Sequence, residues 1–261
     1  MLTIGLYVDN LERGAYDIPF MMSNWDADKI IIFAGSVVTE NILRTQLNDY
    51  VDIVNIGIPV NRPPDIPRAF NACVDYCYDV IKTDALLFMH ADTHITKACM
   101  QFIKDTYDKS YAVSLIYDHI QLYNYMWVAY PSVVLSNTDT IVKWDETGDG
   151  SLLQGVYEPR KNYIHHHYDR DMIHDIGYIT IDKYVKKMSS HNHITGWKDS
   201  WKSKVIEAFG VSKEHGLREA YKMIKRYCPL VPIRPEPYAE VLDYYQAWEE
   251  YHMCVDFMGK M

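Results

Sequence analysis

The stretch Asp84-Ala-Leu-Leu-Phe-Met-His-Ala-Asp-Thr-His-Ile-Thr96 decides how the rest of the chain is read. Ala85 to Met89 is a short, unbroken apolar run, the pattern of a strand covered on both faces, and it empties into a polar tip. In open α/β sheets ligands lie just outside the carboxyl ends of such strands, so His90, Asp92 and His94 are placed where a ligand would sit. A carboxylate flanked by imidazoles suits a hard divalent cation, magnesium or manganese, beside a diphosphate. A plain solvated turn is the competing account of the same residues.

Working outward, strands and helices alternate. Leu2–Val8, Lys29–Phe33 and Val51–Ile58 read as strands, and Thr39 is expected to cap a helix running to about Asn48. A long helix is expected from about Ile66 to Lys82 and another from Lys97 to about Tyr107, with further strands near Tyr111–Tyr117 and Ser132–Ser136. Helix-length crossovers between strands predict a mostly parallel sheet with helices on both faces.

With 261 residues, 48% of them hydrophobic, the chain is long enough for one large domain or a domain with an appendage. No apolar run reaches the roughly 20 residues of a membrane-spanning helix, and the start lacks the basic region of a signal peptide, so a cytoplasmic protein is expected. The five cysteines fit neither a zinc pattern nor a disulfide framework. A net charge of −9 argues against a broad basic nucleic-acid surface, though not against a local groove. The 22 tyrosines suit a polar ligand cleft as well as a core.

Arg68-Ala-Phe-Asn71 on a helix, followed after Asp84 by Leu-Leu-Phe-Met-His-Ala-Asp-Thr93, resembles the nucleotide-sugar glycosyltransferases of the GT-A fold, family 2 in particular, over roughly residues 1–195. The resemblance implies a Rossmann-like domain over 1–195 and a helical C-terminal extension, 196–261, packed on it. It implies transfer of a sugar from a nucleotide-sugar donor, a UDP-sugar first, to an acceptor hydroxyl with inversion, aided by manganese or magnesium. His90-Ala91-Asp92 is then similar to the metal-binding D-x-D with its first carboxylate replaced. Asp92 becomes the metal ligand, and Arg68, Asn71, His90 and Ala91 become donor contacts. Two departures stand beside the match. The aspartates that follow the second strand in the family are replaced by Phe33-Ala34-Gly35-Ser36, which leaves Asp9 and Asp52 as the acidic candidates for base or ribose. The imidazole of His90 stands where a carboxylate is usual.

In the second half, Asp169-Arg-Asp171 is similar to the acidic pair that supplies the catalytic base in GT-A enzymes. Asp171 is preferred because the helix expected over Met172–Ile176 would fix it at a helix start; helix capping alone accounts for such a residue equally well. His165, His166 and His167 cannot all face one metal if they lie on a strand. A late histidine, His191 or His193, stands where many GT-A enzymes return one to the metal. Two amphipathic helices are expected over Trp197–Phe209 and Lys213–Tyr227. A last one over Tyr238–Met258 carries an aromatic stripe (Leu242, Tyr245, Trp248, Tyr251, Met253) that suits packing on the main domain, a dimer surface or an acceptor platform. The acceptor is open between a saccharide, a lipid-linked sugar, a protein and a hydroxymethylated DNA base of the kind some viral glycosyltransferases modify. A nucleotidyltransferase or pyrophosphorylase would share the sheet but should carry a glycine-rich phosphate loop, of which Asp9-Asn-Leu-Glu-Arg-Gly14 is a poor version. A non-catalytic binding module on the same scaffold is the third class.

Overall fold

Ala85–His90 forms β4 of a seven-stranded sheet, in the computed structural model, ordered β10-β6-β9-β4-β1-β2-β3. The structure describes residues 1–9, 17–47, 51–60, 65–91, 93–109, 111–116, 118–122, 124–128, 133–144, 146, 164–168, 173–175, 177, 179–190, 200–225 and 233–258. In chain order the strands are β1 Leu2–Val8, β2 Lys29–Ala34, β3 Asp52–Asn55, β4, β5 Thr93–Ile95, β6 Ala112–Ile116, β7 Asp118–Gln121, β8 Asn124–Val128, β9 Val133–Asn137, β10 Ile164–Tyr168 and β11 Ile173–Asp175. The helices are α1 Ile18–Met21, α2 Val37–Gln46, α3 Asp65–Asp75, α4 Lys97–Thr106, α5 Ile181–Ser190, α6 Ser200–His215, α7 Leu217–Lys225, α8 Ala239–Tyr244 and α9 Trp248–Met258.

The described residues divide into two compact units. The first holds those up to 116 and from 133 to 173; the second holds 118–128 and 174–258. In the first, β1 pairs in parallel with β2 and β4, β2 with β3, and β6 with β10, while β9 runs antiparallel between β4 and β6. This mostly parallel, helix-flanked sheet is the α/β architecture that the alternating pattern predicts.

Both sheet faces are buried, which is why β1 and β4 read as near-continuous apolar runs instead of alternating ones. On one face Tyr7, Ile31, Phe33, Leu86, Phe88 and Val134 meet Ala69, Phe70, Cys73 and Val74 of α3. On the other, His167 of β10 stacks on Phe102 of α4, with ring centroids 4.2 Å apart. Gly5 leaves little room for a side chain, since a Cβ there would lie 3.2 Å from Leu86 Cδ1 and 3.4 Å from Phe88 Cδ2.

Several local expectations are corrected. Ser36, not Thr39, caps α2: its hydroxyl accepts from the Thr39 N–H at 3.2 Å, and Thr39 sits inside the helix. The expected helix over Met172–Ile176 is absent, because Ile173–Asp175 is a strand. The long helix after residue 65 ends in a π turn, Tyr76–Ile81, closed by Lys82 in the left-handed region (φ 61°). That turn carries Tyr78 inward to Ser136, 2.8 Å from hydroxyl to hydroxyl.

In the second unit α6 packs on α5 and α7, and α7 on α9. The break between α6 and α7 falls at Gly216 (φ 86°), a left-handed position that suits glycine. The single helix expected over Tyr238–Met258 is two, α8 and α9, divided where Gln246 turns left-handed (φ 51°). The aromatic stripe survives the break in part, with Leu242 and Tyr251 buried within this unit.

Candidate functional site

The chain lays down β1, β2 and β3 side by side and then crosses back to place β4 on the other flank of β1. The crevice outside the carboxyl ends of β1 and β4 is therefore the topological switch point, where ligands bind in open α/β sheets. Register brings the two strand ends level, with Tyr7 paired to His90. Asp9 and Ala91 thus leave neighbouring strands at the same sheet edge.

Asp9 is held firmly there. Its Oδ1 accepts from the Val60 N–H at 2.7 Å and from the Tyr7 hydroxyl at 3.4 Å, while its carbonyl accepts from the Thr39 hydroxyl at 2.7 Å. The Tyr7 hydroxyl also donates to the Ile58 carbonyl at 2.7 Å. One residue, through its carboxylate and its main-chain carbonyl, therefore ties together the exits of β1 and β3 and the first turn of α2. Gly35 makes the close approach possible, since a Cβ at that position would fall 2.6 Å from the Tyr7 hydroxyl, 3.1 Å from Asp9 Oδ1 and 3.3 Å from the Ile58 carbonyl oxygen. Where the family pattern has aspartates, this chain has a glycine into whose space a tyrosine hydroxyl projects.

Arg68 is exposed on α3 and Asn71 is buried. The Asn71 amide behaves like a length of strand. Its Oδ1 accepts from the Trp144 N–H at 2.7 Å, and its Nδ2 donates to the Trp144 carbonyl at 2.9 Å and to Glu146 Oε1 at 3.0 Å. Trp144 is wedged between Phe70 and Phe88, with centroids 5.2 Å away in each case, and Phe70 packs edge-on against Tyr7 at 5.7 Å. Nearby Lys143 pairs with Asp75 at 2.6 Å.

His94 does not stand at a ligand position. It is 1% exposed, stacked on Phe20 at 4.6 Å with rings 3° from parallel, and its Nε2 meets the Asn24 amide at 3.3 Å. The chain turns at Ala91 and enters β5, which carries residue 94 into the interior. For His90 and Ala91 the structure gives the main chain at the end of β4 and a buried alanine. Asp92, Asp169, Asp171, His191 and His193 lie outside the described residues. Among the described residues no group of three or more His, Cys, Asp or Glu stands together as a metal site.

Sequence reasoning missed Tyr7, Gly35 and Val60 and gave Glu146 no role. Gly35 carried a signal, a glycine immediately after a buried strand, where close backbone approach is common, and Glu146 lies in the polar, glycine-punctuated stretch Trp144–Ser151.

In layout the chain is a mostly parallel sheet flanked by helices. It matches no protein-family model and no curated protein sequence. Among solved structures it is similar to residues 1–349 of Staphylococcus aureus TarS, at 9% identity and TM-score 0.42 over 100% of this chain and 92% of that one. It is also similar to a putative glucose-1-phosphate thymidylyltransferase from Bacillus anthracis, at 12% identity and TM-score 0.46 over 75% of this chain and 98% of that one. A third is the galactosyltransferase LgtC bound to donor and acceptor sugar analogues, at 12% identity and TM-score 0.32 over 52% and 58%. Among the described residues no helix is long and apolar enough to cross a membrane.

Proposed function

We propose that this chain transfers a sugar from a nucleotide-sugar donor to an acceptor hydroxyl, with a divalent cation beside the diphosphate. One observation carries the reading: the switch-point crevice, where Tyr7 and His90 are in register and the anchored Asp9 and the end of β4 at His90-Ala91 share one sheet edge. Asp9, fixed between β1 and β3, is the carboxylate on the nucleoside side. Arg68, exposed on the helix that follows β3, is available for the diphosphate.

The cation, manganese or magnesium, falls to Asp92, with His191 or His193 from the later segment. Carboxylate and imidazole donors suit such an ion, and the inward turn of His94 removes it from the set. When bound, the ion would offset the charge that develops on the departing diphosphate. A UDP-sugar is the first donor to try. For the proton acceptor of an inverting transfer the sequence offers Asp171 and Asp169.

The test is a melting experiment on the full chain with UDP-glucose, UDP-galactose, UDP-N-acetylglucosamine and dTDP-glucose, each with and without manganese. One donor should raise the melting temperature only with the metal, because a ligand at 100 times its Kd stabilises by about 2.7 kcal/mol. Asp92→Asn should lose that response while melting like wild type without ligand. No shift with any donor, or an unchanged response in Asp92→Asn, refutes the reading. Pyrophosphate release from a nucleoside triphosphate and a sugar 1-phosphate would make the chain a nucleotidyltransferase instead.

A further inference from the structure

The Asn71 clamp does more than hold Trp144. Its Nδ2 carries two N–H donors, of which one goes to the Trp144 carbonyl and the other to Oε1 of Glu146, an exposed residue. Among the described residues the other Glu146 oxygen has no partner, and the nearby cation Lys143 is engaged by Asp75. The result is a carboxylate with one oxygen fixed by a neutral donor and its charge left unpaired by any described cation. Its place is also informative. Trp144 packs on Phe88, two residues before His90, and on Phe70, which touches Tyr7, the register partner of His90. Glu146 is therefore two positions along from a core residue packed beneath the ends of β1 and β4. The reason for preferring Asp171, a helix starting behind it, is gone, since Ile173–Asp175 is a strand.

We propose that Glu146 is the carboxylate that takes the proton from the incoming hydroxyl, and that Asn71 is the positioning residue that aims it. The assignment rests on the donor reading above. In the step, the acceptor O–H bond breaks and its proton passes to the open oxygen of Glu146. The acceptor oxygen's electron pair forms the new bond to the anomeric carbon. The bond from that carbon to the phosphate oxygen breaks, and its pair leaves with the nucleoside diphosphate. With water as acceptor the same step yields free sugar, and Glu146 then returns the proton to solvent. A fixed orientation without charge neutralisation is what a general base requires.

Hydrolysis of the metal-dependent donor found in the melting screen tests this without a known acceptor. Glu146→Gln keeps an oxygen for the Asn71 amide but removes the basic charge. It should bind donor and melt like wild type while its turnover number falls about a hundredfold or more. Asn71→Ala should also lower the turnover number, and adding Glu146→Gln to it should cost little more, a non-additivity that a merely structural Asn71 would not produce. Wild-type hydrolysis in Glu146→Gln, whatever Asp169→Asn or Asp171→Asn do, overturns the assignment and leaves the donor reading standing. So does wild-type protein that binds donor but never cleaves it, because an open, aimed carboxylate would deliver water. If no sugar nucleotide binds at all, both readings fall together.

Discussion

Replacing Gly35 with alanine should unsettle the candidate site through a single atom. The added Cβ would stand 2.6 Å from the Tyr7 hydroxyl, inside the contact distance of real Cβ atoms, with Asp9 Oδ1 at 3.1 Å and the Ile58 carbonyl oxygen at 3.3 Å. The backbone has little room to retreat, because the Gly35 N–H donates to the Val8 carbonyl at 3.0 Å. Tyr7 must therefore move and give up its 2.7 Å bond to Ile58. Losing that part-buried bond costs about 1 kcal/mol, and crowding of a packed site adds roughly 1–3 kcal/mol, for a total on the order of 2–4 kcal/mol. Thermal melts and urea titrations of Gly35→Ala, Tyr7→Phe and the double variant provide the assay. Tyr7→Phe alone should lose about 1 kcal/mol, and because it removes the clashing hydroxyl the double variant should be more stable than Gly35→Ala. A Gly35→Ala protein that melts like wild type, or a double variant weaker than both single ones, would refute the close-approach account.

Two further outcomes follow from buried polar groups. Burial raises the Glu250 carboxyl above its ordinary value, against the opposing bonds from the Tyr221 hydroxyl at 2.7 Å and the Ile181 N–H at 3.2 Å. A raised folded-state value means that its contribution is fully present below the unfolded pKa and is lost as pH climbs through the folded one. Glu250→Gln keeps an acceptor for both donors, so its melting temperature relative to wild type should improve between pH 4 and pH 7.5; a pH-independent difference would contradict this. His94→Ala should cost roughly 1–3 kcal/mol through the lost Phe20 stack and the loosened Asn24 contact, yet leave donor binding as it was. Loss of donor binding in a protein of normal stability would return His94 to the site.

By itself the sequence determined the sheet and the edge at which to look. Ala85–Met89 is apolar at every position and Leu2–Val8 nearly so, with Thr3 the exception, and strands covered on both faces accept that pattern in water, so the layered α/β class followed from local composition. The polar tip at His90 to Asp92 was legible for the same reason, as the place where the apolar run ends. Tertiary structure alone decided which polar residues serve the site. His94 and Asp92 are two residues apart and look equivalent on paper, but the turn at Ala91 sends His94 under Phe20. Asn71 reads as a donor contact from its neighbour Arg68, yet its amide meets Trp144 and Glu146, 73 and 75 positions along the chain. Gly35 and Tyr7 share one small volume only because β1 and β2 pair in register. Hydrophobic burial is encoded locally, in the period of the side chains. Hydrogen bonds across such separations depend on where whole elements come to rest, which no local stretch of sequence specifies.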